Sequence, residues 1–145
     1  MLVDACNGFN ELIRLEILWT VWYCWPAGVR FAFNSYRHRA QLLLCHPGDP
    51  PVTIMSREGV TQGDPLFMVL YRITLFPLAE ELRAADPGIF SPFYADNAVF
   101  DGSSQRNAQL LKLLMGRGPY RGYLPKTAKS LFVSDTPGQE EVARR

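Results

Sequence analysis

The segment FYADNAVF, residues 93–100, decides how the rest of the chain is read. Two runs of strand-forming residues flank a tight turn, which predicts a β-hairpin. Asp96 and Asn97 stand side by side at its tip. Asp and Asn tolerate the backbone of a short hairpin, so the pair can be turn chemistry. A carboxylate at a strand end is equally a hard-oxygen ligand for a divalent cation. The remainder of the chain has to separate these readings.

The chain has 145 residues, enough for one domain with a core. Hydrophobic residues make up 48% and charged residues 20%, an ordinary globular balance. A net charge of +1 gives no global mark of a nucleic-acid binder. Basic residues do cluster locally, with Arg30, Arg37, His38 and Arg39 in one segment and Arg117, Arg121, Lys126 and Lys129 in another. A solvated surface accounts for such clusters, and Arg37, Arg39 and Arg121 are alternatively placed to touch backbone phosphates. Cys6, Cys24 and Cys45 form no CxxC pair, which argues against zinc and against a disulfide framework. Reduced, buried thiols in an intracellular protein are the expectation, with nucleus and cytoplasm both open. The longest apolar stretch, PLFMVLYRITLFPL (65–78), is broken by Arg72 and Pro77 and is too short to span a membrane. The amino terminus has Asp4 and no basic region, so no secretory signal is expected. It opens directly in strand-like sequence, as though the chain begins inside a domain.

Outward from the hairpin, Leu2 and Val3 read as the end of a buried strand. Residues 11–24 carry Leu12, Leu15, Leu18, Trp19 and Trp22 at helical spacing, with Asn7 or Asn10 as cap and Pro26 and Gly28 as stop. FAFNSYRHRAQLLLCH (31–46) alternates aromatic and polar residues and predicts a strand or hairpin arm. PGDPP (47–51) is a turn, and VTIM (52–55) returns as a strand. A loop (56–65) with two glycines leads to a helix from about Pro65 to Arg83, its apolar face Leu66, Val69, Leu70, Ile73, Phe76 and Leu82, kinked at Pro77. After ADPG (85–88) comes the hairpin. A helix capped by Ser103 or Ser104 follows, ending near Gly116 and Gly118. KSLFVSD (129–135) is a last short strand, and 136–145 is a polar tail. This order predicts the α+β class, an antiparallel sheet backed by helices.

Asp4 ends one predicted strand and Asp96 sits at a hairpin tip. If those strands are neighbours, both carboxylates reach one sheet edge. Two carboxylates held close repel unless a cation bridges them, and such a pair can hold two metals about 3.5–4 Å apart for phosphoryl transfer. Four segments around them resemble, in order, the palm motifs of reverse transcriptases of the non-LTR retroelement type. LVDACNGF (2–9) resembles motif A, an aspartate with an aromatic five positions on. EGVTQGDPL (58–66) resembles motif B and is the most specific of the four. FYADNAVF resembles motif C, and GYLPKTAKS (122–130) resembles motif D, a glycine with a lysine seven positions on.

That resemblance implies a partial polymerase palm over residues 1–135. It implies nucleotidyl transfer from a dNTP to a DNA primer 3′-hydroxyl on an RNA template, with Mg2+ or Mn2+ as cofactor. Asp4 and Asp96 would hold the metals, with the Ala5 carbonyl and Asn97 as further ligands. Lys129 would donate a proton to the leaving pyrophosphate, or is a solvent lysine. Phe9 would be a steric gate against a 2′-hydroxyl as well as a core residue. Gln62 and Gly63 would meet the incoming nucleotide, Asp64 and Pro65 would open the helix, and Tyr94 would pack beside the primer end. No membrane partner is expected, and the rest of a larger polymerase chain is, since the fingers and thumb that flank a palm are not in this sequence. Three departures stand out: Asn97 replaces a second aspartate; Phe67 stands where a small serine is usual, with Arg72 inside the following helix; and the fingers and thumb are missing. They open an alternative reading, a degenerate retroelement remnant without catalytic activity that at most binds nucleic acid.

Overall fold

The strand β1 (Leu2–Asp4) places Val3 in the core between two half-buried neighbours. The computed structural model describes residues 1–133 of the chain. After β1, Asn7 adopts a left-handed conformation (φ 51°), which Asn tolerates better than most residues, and turns the chain into α1 (Gly8–Glu11). Asn7 thus occupies the cap position through its backbone, with no side-chain capping bond. A break follows before α2 (Arg14–Cys24), whose first N–H is met by a distant group, the Glu58 carboxylate at 2.7 Å. A single 3₁₀ turn over Pro26–Gly28 leads into α3 (Val29–Tyr36). The hairpin β2 (Ala40–Leu44) and β3 (Val52–Ser56) comes next, then the long α4 (Phe67–Ala85). The opening segment forms β4 (Phe93–Tyr94) and β5 (Asn97–Val99). Ser103 caps α5 (Ser104–Arg117), its hydroxyl accepting from the Arg106 N–H, and 3₁₀ turns over Gly118–Arg121 and Thr127–Lys129 follow.

The fold is α+β, with small antiparallel sheets and helices packed against them. The principal sheet runs in the order β1-β5-β4. Leu2 faces Val99, Val3 faces Ala98 and Asp4 faces Asn97. Along the other side of β1, Leu2 bridges Leu131 and Ala5 bridges Pro125. The strand expected over 129–135 is thus, within the described residues, one bridge at Leu131; positions 134–135 and the tail 136–145 lie outside them. Val3, Ala98 and Phe100 from the sheet join Leu70, Tyr71, Leu75, Leu78 and Leu82 of α4, Leu110 and Leu114 of α5, and Tyr123 in one core.

Four expectations are corrected. The face of α2 is not the one its bulkiest residues suggest: Arg14, Ile17, Thr20 and Val21 are buried, whereas Leu15 (76%), Trp19 (62%) and Trp22 (62%) are exposed. The helix carries apolar residues nearly all round, so two stripes have helical spacing and periodicity cannot rank them. The face of α4 is corrected in part: Leu70 and Leu82 are buried as expected, together with Tyr71, Thr74, Leu75 and Leu78, while Val69 and Phe76 are exposed; the helix runs on through Pro77. The first half of 31–46 is helix, because Ala32 and Tyr36, four apart, are the buried pair while Phe31 and Phe33 face outward. The cysteines are free, but Cys24 and Cys45 are exposed and Cys6 is half-buried. The β2–β3 hairpin pairs in register from Ala40↔Ser56 to Leu44↔Val52 and forms a separate two-stranded sheet.

Candidate active site

Because β1 and β5 are adjacent and antiparallel, Asn97 stands opposite Asp4 and the backbone of Asp96 lies beside Ala5. Met1 and Phe100 exchange both backbone bonds, at 2.7 and 2.8 Å. Alternation along the ladder then makes Asp4 and Asn97 a pair whose side chains share one face without a backbone bond between them. One step further, the Ala5 N–H donates to the Asp96 carbonyl at 3.2 Å, and the reverse bond is not formed among the described residues. The Ala5 carbonyl therefore has lone pairs to offer beside the turn. The turn's positive φ falls on Ala95 (53°), the first of its two central residues, where glycine is usual. Asp96, the second central residue, and Asn97 do not have a positive φ.

Lys129 reaches the site from the 3₁₀ turn Thr127–Lys129, its Nζ 3.6 Å from Asp4 Oδ2. The segment is tied to β1 by the Lys126 N–H on the Asp4 carbonyl (2.7 Å) and by the Asp4 N–H on Ser130 Oγ (3.4 Å). Two buried phenols underlie the carboxylates. Tyr123 donates to the carbonyls of Val3 (3.2 Å) and Asp96 (3.0 Å). The Tyr71 hydroxyl is buried and has no hydrogen-bond partner among the described residues. Burial raises both phenols above the ordinary tyrosine range, and the charges of Asp96 and Asp4 raise both further.

Phe9, on α1, is half-buried with its ring 5.5 Å from Phe67 and 4.8 Å from Tyr71. The bulky residue at 67 thus packs edge-on against the expected gate. The 56–66 loop is fastened to α1 and α2. The Val60 N–H donates to the Phe9 carbonyl and the Gly59 N–H to the Leu12 carbonyl. Arg14, 7% exposed, fans across the carbonyls of Gly59, His38 and Ser56 and the Ser56 hydroxyl. Tyr36 donates to Asp64 at 3.0 Å and accepts from the Thr61 N–H. The other Asp64 oxygen accepts from the Leu66 N–H at 2.8 Å, so Asp64 braces the start of α4. Gln62 is exposed, and Gly63 has φ 99° with open space where a side chain would stand, so this loop tip is uncluttered. Tyr94 is 73% exposed on β4. Of the arginines considered for phosphate contact, Arg121 is engaged with Glu16 at 2.9 Å and Arg37 lies over the Phe33 ring.

The donor set consists of hard oxygens: two carboxylates, the Asn97 amide oxygen and the Ala5 carbonyl, with an unpaired buried hydroxyl beneath. These fit magnesium or manganese in chemistry. Among the described residues no cluster of three or more His, Cys, Asp and Glu side chains forms, so a cation held at these positions would rely on Asp4, Asp96 and neutral oxygens. Arg14, Tyr36, Tyr71 and Tyr123 escaped the sequence reading, because each acts through partners distant in sequence. Among the described residues no helix is long and apolar enough to cross a membrane. No protein-family model matches the chain, and no curated protein matches it.

Proposed function

We propose that the chain is the palm of an RNA-directed DNA polymerase, extending a DNA primer on an RNA template by nucleotidyl transfer from dNTPs. The observation that carries this reading is the register Asp4↔Asn97, which sets the motif A aspartate beside the Asp-Asn turn with Lys129 on its far side. Asp4 and Asp96 would hold Mg2+ or Mn2+, with Ala5 and Asn97 adding neutral oxygens. When bound, the metal pair supplies the Lewis acidity that ionises a primer 3′-hydroxyl and screens a triphosphate. Lys129 carries a proton to the leaving pyrophosphate from an exposed position beside Asp4. Phe9, backed by Phe67 and Tyr71, leaves no room for a 2′-hydroxyl. Gln62 and Gly63 meet the nucleotide at an open loop tip, and exposed Tyr94 lies beside the primer end. The remainder of a larger polymerase chain is the natural partner for gripping the duplex.

A second reading, a remnant that binds nucleic acid without extending a primer, is favoured by two residues. Asn97 withholds a charge from the site, and Phe67 crowds the gate. Primer extension on an RNA template with dNTPs and Mg2+ or Mn2+ separates the two. Extension that disappears in Asp96→Ala supports the polymerase; template–primer binding without extension supports the remnant.

A further inference from the structure

We propose that the Tyr71 hydroxyl is a positioning group for Asp96, donating a hydrogen bond to its carboxylate when a divalent cation occupies the site. The inference rests on the metal-site reading above and adds a residue to it. Tyr71 is 1% exposed, its ring is held against Phe9 at 4.8 Å, and its hydroxyl has no partner among the described residues. A buried hydroxyl without a partner is unfavourable unless another state of the molecule satisfies it.

The geometry names the acceptor. A Cβ on Gly8 would stand 2.8 Å from the Tyr71 hydroxyl oxygen and 2.9 Å from Asp96 Cβ. Both atoms therefore lie around one point, and a rotation of the Asp96 side chain brings an oxygen within hydrogen-bond reach. Glycine at position 8 leaves that space open. Tyr123 shares its single O–H between the carbonyls of Val3 and Asp96. Tyr123 thus holds the backbone of Asp96 while Tyr71 awaits its side chain. A cavity of about 100 Å³ bordered by Tyr71, Leu75, Phe93 and Ala95 gives the turn room to shift. Fixing a carboxylate ligand through an outer hydrogen bond orients its free oxygen toward the cation.

Calorimetric titration of the full chain with Mn2+ tests this, with thermal unfolding in EDTA beside it. Tyr71→Phe keeps the ring and removes only the hydroxyl. The expected result is about tenfold weaker Mn2+ binding with an equal or higher melting temperature in EDTA, since an unpaired buried group is gone. Mn2+ should also change the tyrosine ultraviolet difference spectrum of the wild type and leave that of Tyr71→Phe unchanged. Gly8→Ala, which wedges a methyl between hydroxyl and carboxylate, should weaken binding similarly. If Asp4→Asn and Asp96→Asn abolish binding but Tyr71→Phe and Gly8→Ala bind as the wild type, the positioning role is overturned and the metal site stands. Absence of Mn2+ binding in the wild type, or binding indifferent to both aspartates, overturns the metal site and the inference with it.

Discussion

Asp4 and Asn97 face each other directly across the β1–β5 ladder, the last opposed pair before the turn. Their side chains share a face, so any charge placed at position 97 is felt at position 4.

Asn97→Asp adds a second carboxylate opposite the first. In EDTA the opposed charges should lower stability by about 0.2–1 kcal/mol. With Mg2+ or Mn2+ present the sign reverses, because the cation gains a ligand charge. Paired melting curves, with and without metal, and calorimetry check this. Unchanged affinity would mean that Asn97 does not face the cation.

Lys129 is 60% exposed beside Asp4, so its ion pair contributes little to folding. Lys129→Met should change stability by less than about 0.5 kcal/mol while reducing primer extension through lost proton donation. Denaturant unfolding and single-turnover extension measure the two effects. A large stability loss with intact extension would make Lys129 a structural residue.

Arg14 is the buried brace of the 56–60 loop. Arg14→Ala removes the hydrogen bonds to the carbonyls of Gly59, His38 and Ser56 and should cost about 1–3 kcal/mol. Arg14→Lys should rescue little, because an ammonium cannot reproduce the planar fork. Urea midpoints with matched m-values check the ranking.

Asp86 accepts a two-point hydrogen bond from Arg106, one arm at 2.6 Å, and that bond holds its carboxyl below the usual range. The folded pKa is depressed, so the pair's contribution is present above the unfolded value of about 3.9 and is lost as pH falls through the folded pKa. The stability difference between wild type and Asp86→Asn should therefore be full at neutral pH and vanish in strong acid. Melting temperatures from pH 7 down to about 2 trace it, and a difference that persists in acid would assign the effect to packing.

The hairpin at 93–100 was legible because strand-forming runs on either side of a two-residue turn leave one pairing. The end of α4 at ADPG, the turn at 47–51 and the cap at Ser103 were legible for the same reason: proline, glycine and serine act on their immediate neighbours. Faces were not legible. Leu15, Trp19 and Trp22 are as well spaced as Ile17 and Val21, and only the placement of α4 and α3 against α2 decided which stripe was covered. Nor was the switch within 31–46, where Phe31 and Phe33 imitate a strand while Ala32 and Tyr36 make a helix contact.

For the site, the chain itself determined which oxygens are on offer: Asp4, Asp96 and Asn97 are chemistry written at single positions. That Asp4 pairs with Asn97, that Lys129 reaches Asp4, and that Tyr71 and Tyr123 lie beneath the carboxylates was decided by tertiary structure. The physical reason is range. Propensity and capping act over a few residues, whereas the neighbours of a carboxylate are set by which strands share a ladder and which helix covers them.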